Sequence, residues 1–117
     1  MPHKRGVHSV LETSISTRRA NALLTRGERA DLITRLARDP AGGDLFPGLG
    51  GIRKMRFAAG GQGKRGGFRV IWYHQADHQP VLALLIYGKN EQANPSPDQT
   101  RAMLAIVERM RRGADRV

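Results

Sequence analysis

The pattern of apolar and polar residues predicts three strands in the second half of the chain. They cover Ile52 to Ala58, Gly67 to His74 and Pro80 to Tyr87, with turn-forming residues between them. The short connection Gln75 to Gln79 predicts that the last two strands are antiparallel neighbours. The third strand, VLALLIY, is almost continuously apolar, which is typical of a central strand covered on both faces.

Helical periodicity precedes these strands. A weak alternation from His8 to Ile15 predicts a short first strand. A helix follows, capped by Ser16 or Thr17; Gly27 interrupts the pattern, and a second helix follows through about Arg38. Neither helix can bury its apolar stripe alone, so both are expected to pack on the sheet.

A third helix follows the strands, and Ser96, Pro97 and Gln99 mark its start as a cap, a first helical position and a capping partner. The order of elements predicts an α+β fold: a small antiparallel sheet with two N-terminal helices and a C-terminal helix packed on one side of it. The length of 117 residues indicates a single domain over residues 1–117, with residues 1–7 expected to be disordered.

The net positive charge of the chain indicates a polyanionic partner. Twenty Lys and Arg residues against ten Asp and Glu residues give a net charge of +10, which a polyanionic partner would offset. Nucleic acid fits better than a membrane, because no segment pairs a long apolar face with a basic one and no apolar run approaches about 18 residues. The N-terminal segment lacks the apolar core of a signal peptide, so a cytoplasmic protein is expected.

The positive charge is concentrated in the stretch from Gly50 to Arg69. This stretch holds six cations, no carboxylate occurs between Asp44 and Asp77, and ten of the fourteen glycines lie between Gly42 and Gly67. A basic, glycine-rich surface with apolar residues between its charges suits a phosphodiester backbone. A solvated loop between two strands is the alternative interpretation.

Strand alternation predicts which of these cations share a face. Met55 and Phe57 should face the core, which turns Lys54 and Arg56 outward, and Arg69 should point the same way from the next strand. The residues expected to converge on one open face are Lys54, Arg56, Arg69, Tyr87 and Lys89, with Lys64 and Arg65 on the loop beside them. Arg53, Lys64 and Arg65 are predicted to bind RNA or the ribosome.

Such a cluster has the chemistry to cleave RNA without a metal or another cofactor. Neighbouring cations favour the deprotonated form of a lysine, which can then act as a base, and guanidinium groups stabilise the charge that develops on a phosphate. Tyr87 could stack on a base or orient the hydroxyl, or it could be a core aromatic residue with a solvated hydroxyl. Each cation taken singly is more simply an exposed, solvated side chain.

Other sequence matches do not support a site. The hexapeptide from Gly61 to Gly66 fits G-x-G-x-x-G, but a strand follows it instead of a helix, and the next acidic residue is Asp77. Gly63-Lys64 lacks the Ser or Thr of a phosphate-binding Walker loop. His74 and His78 flank a predicted turn without a third ligand, so no metal site is expected.

Three runs of sequence carry a family resemblance. FPGLGGIRKMRFA, GKRGGFRVIWY and IYGKNEQANPSPDQ occur in this order before the terminal helix. They resemble the HigB branch of RelE-like toxins from bacterial toxin–antitoxin pairs, over about Val10 to Arg111. The resemblance implies a ribosome-dependent endoribonuclease that cuts mRNA and is neutralised by a small helix-turn-helix antitoxin, through which it contacts operator DNA.

The resemblance also implies roles for individual residues. Lys54 and Arg56 match the strand pair that contacts the RNA backbone, Arg69 the arginine that stabilises the scissile phosphate, and Lys89 the lysine after the last strand's glycine. The sequence departs from RelE at Asn90, where RelE carries a further catalytic arginine, and it lacks the C-terminal tyrosine of RelE. Tyr87, Lys64 and Arg65 are the candidates to replace them.

Two other functions fit the same residues. A non-catalytic nucleic-acid-binding protein would need the same positive charge. A ParE-type toxin would share the fold and act on gyrase, although the dense cationic cluster speaks against that function.

Overall fold

A five-stranded sheet forms the central layer of the computed structural model, which describes residues 8–58, 67–76 and 78–115. The predicted disorder of residues 1–7 lies outside this part of the chain. Along the chain the elements are β1 Val10–Glu12, α1 Ser14–Leu23, α2 Arg26–Arg38, β2 Asp44–Leu45, β3 Arg53–Phe57, β4 Phe68–Tyr73, β5 Val81–Gly88 and α3 Pro97–Asp115.

The strands lie side by side in the order β1-β5-β4-β3-β2. The pairs β2–β3, β3–β4 and β4–β5 are antiparallel, and the last of these confirms the predicted antiparallel pairing of the last two predicted strands. β1 pairs with the other edge of β5 in parallel, so the sheet is mixed. β5 therefore has a strand on each side and is buried from Val81 to Tyr87, as its continuous apolar run predicts.

Helices cover both faces of the sheet. α1 and α2 pack through Ala20, Leu24, Leu32 and Leu36 on one face, called here the α1–α2 face, which carries Val70 and Trp72 among others. α3 packs through Met103 and Val107 on the opposite face, called the α3 face, which carries Ile71, Tyr73, Leu84 and Leu85. The expected α+β fold is confirmed, but the prediction of helices on one side is wrong. The three strands of the second half have apolar residues at both parities, and each set needs its own cover.

A bulge in β5 sets the direction of the side chains at the end of that strand. The register between β4 and β5 shifts between Ile71 and Trp72, and Leu84 and Leu85 both lie in the α3-face core. The side-chain alternation is therefore reversed beyond Leu85, as expected where one strand carries an extra residue. As a result Tyr87 points to the α3 face.

Side-chain caps fix where the helices begin. The backbone N–H of Ser16 donates to the Thr13 hydroxyl (3.1 Å), so Thr13 caps α1. The prediction of Ser16 or Thr17 as the cap is wrong, and Ser16 is buried. Ser96 and Gln99 exchange the two hydrogen bonds of a capping box, as predicted for α3.

A further capping box, missed in the sequence, begins α2. The Glu28 backbone N–H donates to the Thr25 hydroxyl, and the Glu28 carboxylate accepts from the Thr25 backbone N–H. α2 therefore begins at Arg26, and Gly27 lies inside its first turn.

Among the described residues, no helix is both long and apolar enough to cross a membrane.

Gly43 lies where the chain from α2 reaches β2. Its φ is +73°, and a Cβ there would lie 2.6 Å from the Lys54 carbonyl oxygen and 2.7 Å from the Trp72 ring. Trp72 is itself fixed, because its indole N–H donates to the carbonyl of Pro40 (2.8 Å). Only glycine fits this backbone conformation and this spacing without strain.

We expect Gly43→Ala to destabilise the fold by roughly 3 kcal/mol, since it adds a left-handed backbone penalty to a steric clash in the core. Gly27→Ala is the matched control: a Cβ there meets nothing within 4 Å. In the first turn of α2 the alanine should be neutral or stabilise by up to about 1 kcal/mol. Urea denaturation of both variants measures the difference, and equal stability would contradict the role assigned to Gly43.

Candidate nucleic-acid interface

Three side chains form a row across the middle of the sheet on the α3 face. Arg56 of β3 is the cross-strand partner of Arg69 of β4, and Arg69 is the partner of Tyr87 of β5. Lys54 lies two residues before Arg56 and therefore on the same face, opposite Ile71. Alternation predicted this grouping of Lys54, Arg56, Arg69 and Tyr87, and the structure brings these four residues together.

An open pocket of about 300 Å³ lies at the β3 end of this row. Its walls are Asp44, Lys54, Met55, Arg56 and Arg69. Asp44 was not predicted as a site residue. It lies in β2, directly opposite Lys54. The sequence gives no signal for it, because a strand of two residues has no periodicity and the stretch from Ala41 to Gly51 is otherwise typical of a loop.

Arg69 is the least satisfied cation of this pocket. The side chain is partly buried, and its Nη1 atom is shielded from solvent with no hydrogen-bond partner in the described part of the chain. Its cross-strand neighbour Arg56 is a second cation. A buried donor without an acceptor is costly, and a charged one more so. An anion in the pocket would supply the missing acceptor.

Tyr87 has little contact with solvent. The residue is 2% exposed and belongs to the core under α3, and its hydroxyl donates to the carbonyl of Ala93 (3.3 Å). Burial raises the pKa of the Tyr87 phenol above its usual value, and the charge of Arg69 offsets part of the rise. The phenol therefore keeps its proton at neutral pH. Of the alternatives that the sequence left open, the core aromatic residue describes the surroundings of Tyr87, because a ring this deeply covered leaves no free face for a base.

Lys54 is held by an aromatic ring that the sequence did not single out. Its Nζ atom lies 4.6 Å from the centroid of the Phe46 ring, which is within the range of a cation–π interaction. Phe46 packs at the margin of the α3-face core. The ammonium therefore has a defined place on the wall of the pocket.

Lys89 lies in the turn after β5 and is exposed, and it does not line the pocket. Its backbone N–H donates to the Gly67 carbonyl (3.4 Å) at the start of β4. The turn is fixed by Glu91, whose carboxylate accepts from the Gly88 N–H (2.6 Å) and pairs with Arg19 of α1. The Arg19 hydrogen bond, and next the Gly88 N–H, lower the pKa of Glu91. Lys89 thus sits at the Tyr87 end of the row on a firmly held turn.

The remaining predicted contacts lie elsewhere. Arg53 is the cross-strand partner of Trp72 and points to the α1–α2 face, where its guanidinium donates to the Ala41 carbonyl (2.9 Å). The structure therefore does not bring Arg53 to the face of Lys54 and Arg56. Lys64 and Arg65 lie outside the described residues.

His8 and His74 are engaged in contacts of their own. His74 packs edge-to-face on His8, with ring centroids 4.8 Å apart, and its Nε2 atom is 3.1 Å from the Gln79 carbonyl oxygen. Across residues 8–58, 67–76 and 78–115, no three His, Cys, Asp or Glu side chains are grouped closely enough to hold a metal ion.

The arrangement is suited to an anion that gains charge. Lys54, Arg56 and Arg69 line one open pocket, and β3 and β4 hold their backbones in register. Preorganised donors of this kind stabilise charge that develops in a transition state. Guanidinium groups also match phosphate oxygens in a bidentate geometry.

Comparisons with known proteins agree with this architecture. No family model matches the chain. Among solved structures, that of the E. coli toxin RelE, a double arginine-to-alanine mutant in the free state, is 10% identical in sequence and superposes with a TM-score of 0.54. The match covers 74% of this chain and 87% of the RelE chain. The chain therefore has a RelE-like α+β fold.

Proposed function

We propose that this chain is the toxin of a toxin–antitoxin pair, of the HigB branch, and that it cleaves mRNA on the ribosome. The observation that carries the proposal is the Nη1 atom of Arg69, a shielded guanidinium donor without an acceptor among the described residues, at a pocket with Lys54 and Arg56. The RelE-like fold and the resemblance in sequence support the same activity.

The proposed reaction is a transesterification within the RNA. The 2′-oxygen attacks the adjacent phosphorus while its proton passes to a base, and the bond from phosphorus to the 5′-oxygen breaks. A second proton, supplied by a water molecule, reaches the leaving 5′-oxygen. The products are a 2′,3′-cyclic phosphate and a free 5′-hydroxyl, and a dianionic phosphorane lies between substrate and products.

Each residue of the pocket has a role in this proposal. Arg69 and Arg56 bind the non-bridging phosphate oxygens and stabilise the dianion, in which charge increases relative to the substrate. Lys54 is the proposed proton acceptor for the 2′-hydroxyl. Lys89 contacts the RNA at the end of the row, and Tyr87 supports Arg69 from the core without reacting itself.

The partners follow from this function. The ribosome would present the mRNA in an extended form, which suits an open pocket better than a folded duplex does. A small helix-turn-helix antitoxin would neutralise the toxin and connect it to operator DNA. The site of action would be the cytoplasm, where mRNA is translated.

We expect cleavage to require translating ribosomes. The resemblance to ribosome-dependent RelE-like toxins supports this expectation, and an open pocket lined by cations suits a substrate whose geometry the ribosome supplies. The test incubates purified protein with one mRNA, alone and in a reconstituted translation system, and maps the 5′ ends that appear. Rapid and specific cleavage of the naked mRNA would contradict the requirement, and an absence of new ends in both reactions would contradict the ribonuclease assignment.

A further inference from the structure

Two side chains of one short segment flank the Lys54 ammonium. Phe46, which follows β2, places its ring 4.6 Å from the Nζ atom. Asp44, in β2, is the direct cross-strand partner of Lys54, and both line the pocket. The ammonium therefore has two possible partners within reach, a neutral ring and a carboxylate.

The Phe46 ring is held firmly by its own backbone and by the core. Its N–H donates to the Ile52 carbonyl (2.8 Å), and its carbonyl accepts from the Leu49 N–H (3.3 Å). The Ile52 N–H in turn donates to the Leu49 carbonyl (3.3 Å), and Ile52 is fully buried. The ring therefore offers a fixed face, whereas a lysine side chain alone has many rotamers.

Asp44 offers the opposite interaction. Directly paired residues of antiparallel strands have Cβ atoms about 5 Å apart, which places a carboxylate within reach of an ammonium. The described residues nevertheless show no ion pair between Asp44 and Lys54, whose ammonium lies on the ring. An ion pair would direct the ammonium to Asp44, whereas the ring holds it on the pocket wall without a carboxylate partner.

We propose that Phe46 is a positioning residue for Lys54: its ring holds the ammonium on the pocket wall and away from Asp44. The Lys54 nitrogen thus stays beside the place of an anionic ligand and outside an ion pair with Asp44. The consequence for RNA cleavage depends on the proposed function, but the placement of Lys54 does not.

Phe46→Leu and Phe46→Tyr test the proposal in single-turnover cleavage on saturated ribosomes. Leucine fills much of the same space but has no π face, so the rate should fall about three- to thirtyfold. Tyrosine keeps the ring and should retain a rate near that of the unmodified protein. Equal losses in both variants would contradict a role for the ring.

The double variant Phe46→Leu/Asp44→Asn separates positioning from packing. If Lys54 is captured by Asp44 once the ring is removed, the second substitution should restore most of the lost rate. A loss that persists in the double variant and follows a lower Tm would show that Phe46 acts only through stability. A loss in Asp44→Asn alone as large as that in Lys54→Gln would make Asp44 the proton acceptor and overturn the proposal.

Nuclear magnetic resonance of the free protein gives a readout that does not depend on cleavage. The aromatic ring should shift the ε-methylene protons of Lys54 upfield, and Phe46→Leu should abolish the shift. Titration with inorganic phosphate should perturb these protons more weakly in that variant. Unshifted protons in the unmodified protein would overturn the positioning role, whereas a normal shift together with an absence of cleavage would contradict only the proposed function.

Discussion

Replacing Arg69 with alanine is expected to lower the cleavage rate at least about a hundredfold and to leave the protein folded. The size follows from the cost of removing one preorganised donor from a charged transition state, about 3 kcal/mol. The fold should tolerate the change, because the Nη1 atom has no protein acceptor to lose in the described structure. Single-turnover cleavage on ribosomes measures the first effect, and thermal unfolding measures the second.

Arg53→Ala is the matched control for this experiment. It removes the same charge from the adjacent strand, but from the α1–α2 face, where Arg53 donates to the Ala41 carbonyl. We expect it to cleave within a few-fold of the unmodified rate while it loses about 1 kcal/mol of stability with that hydrogen bond. Equal losses of rate in both variants would attribute the effect to net charge, and a full rate in Arg69→Ala would remove Arg69 from the site.

The periodicity of the sequence predicts most of the strands of the sheet. β3, β4 and β5 lie within the three predicted stretches or one residue beyond them, because apolar residues at strand spacing must be buried wherever the strands pair. The two faces of the sheet were harder to assign. The continuous apolar run of β5 indicated a strand covered on both sides, yet it did not say which helix covers which side. That choice depends on the connections between elements and not on local pattern.

Short or irregular features account for the other differences. β2 has two residues and lies in a loop rich in glycine, and β1 has three, so neither can show a clear period. The caps at Thr13 and Thr25 were missed although their residue types are typical of caps. In the second case Thr25 and Glu28 form the spacing of a capping box, so the signal was present in the sequence.

The site was predictable as far as alternation applies. The shared face of Lys54, Arg56 and Arg69 follows from strand parity, and the same parity places Arg53 with Met55 on the opposite face. Tyr87 was expected on the face of Arg69 and is its cross-strand partner, but the bulge in β5 that precedes it was not predicted.

The burial of Tyr87 and the contacts of Lys54 could be seen only in the structure. Tyr87 is covered because α3, the next element after β5, packs back over the same face of the sheet. Phe46 and Asp44 meet Lys54 through the pairing of β2 with β3, which the sequence did not predict. Contacts between segments that lack their own periodicity are therefore the part of the site that the sequence could not supply.

Substitutions of Lys54 are expected to have different effects in a catalytic protein and in one that only binds nucleic acid. If the protein only binds polyanions, Lys54→Gln and Arg56→Gln should both weaken ribosome affinity slightly. Each should also reduce the slope of log affinity against log salt concentration by about one unit per lost phosphate contact. Exposed cations are interchangeable in such an interface. If Lys54 accepts the proton of the 2′-hydroxyl, Lys54→Gln should lower single-turnover cleavage about a hundredfold or more, well beyond its effect on affinity.

Lys54→Arg distinguishes proton transfer from electrostatics. It keeps the positive charge on the pocket wall, and the Phe46 ring can hold a guanidinium as well as an ammonium. A guanidinium stays protonated, however, and cannot act as a base, so affinity should survive while cleavage does not. Measured ribosome affinity and cleavage rate for the three variants therefore decide the role of Lys54. If Lys54→Arg cleaves at the unmodified rate, Lys54 stabilises charge beside Arg69 and does not transfer a proton. Small, parallel losses of affinity and cleavage rate would identify a binding protein without catalysis.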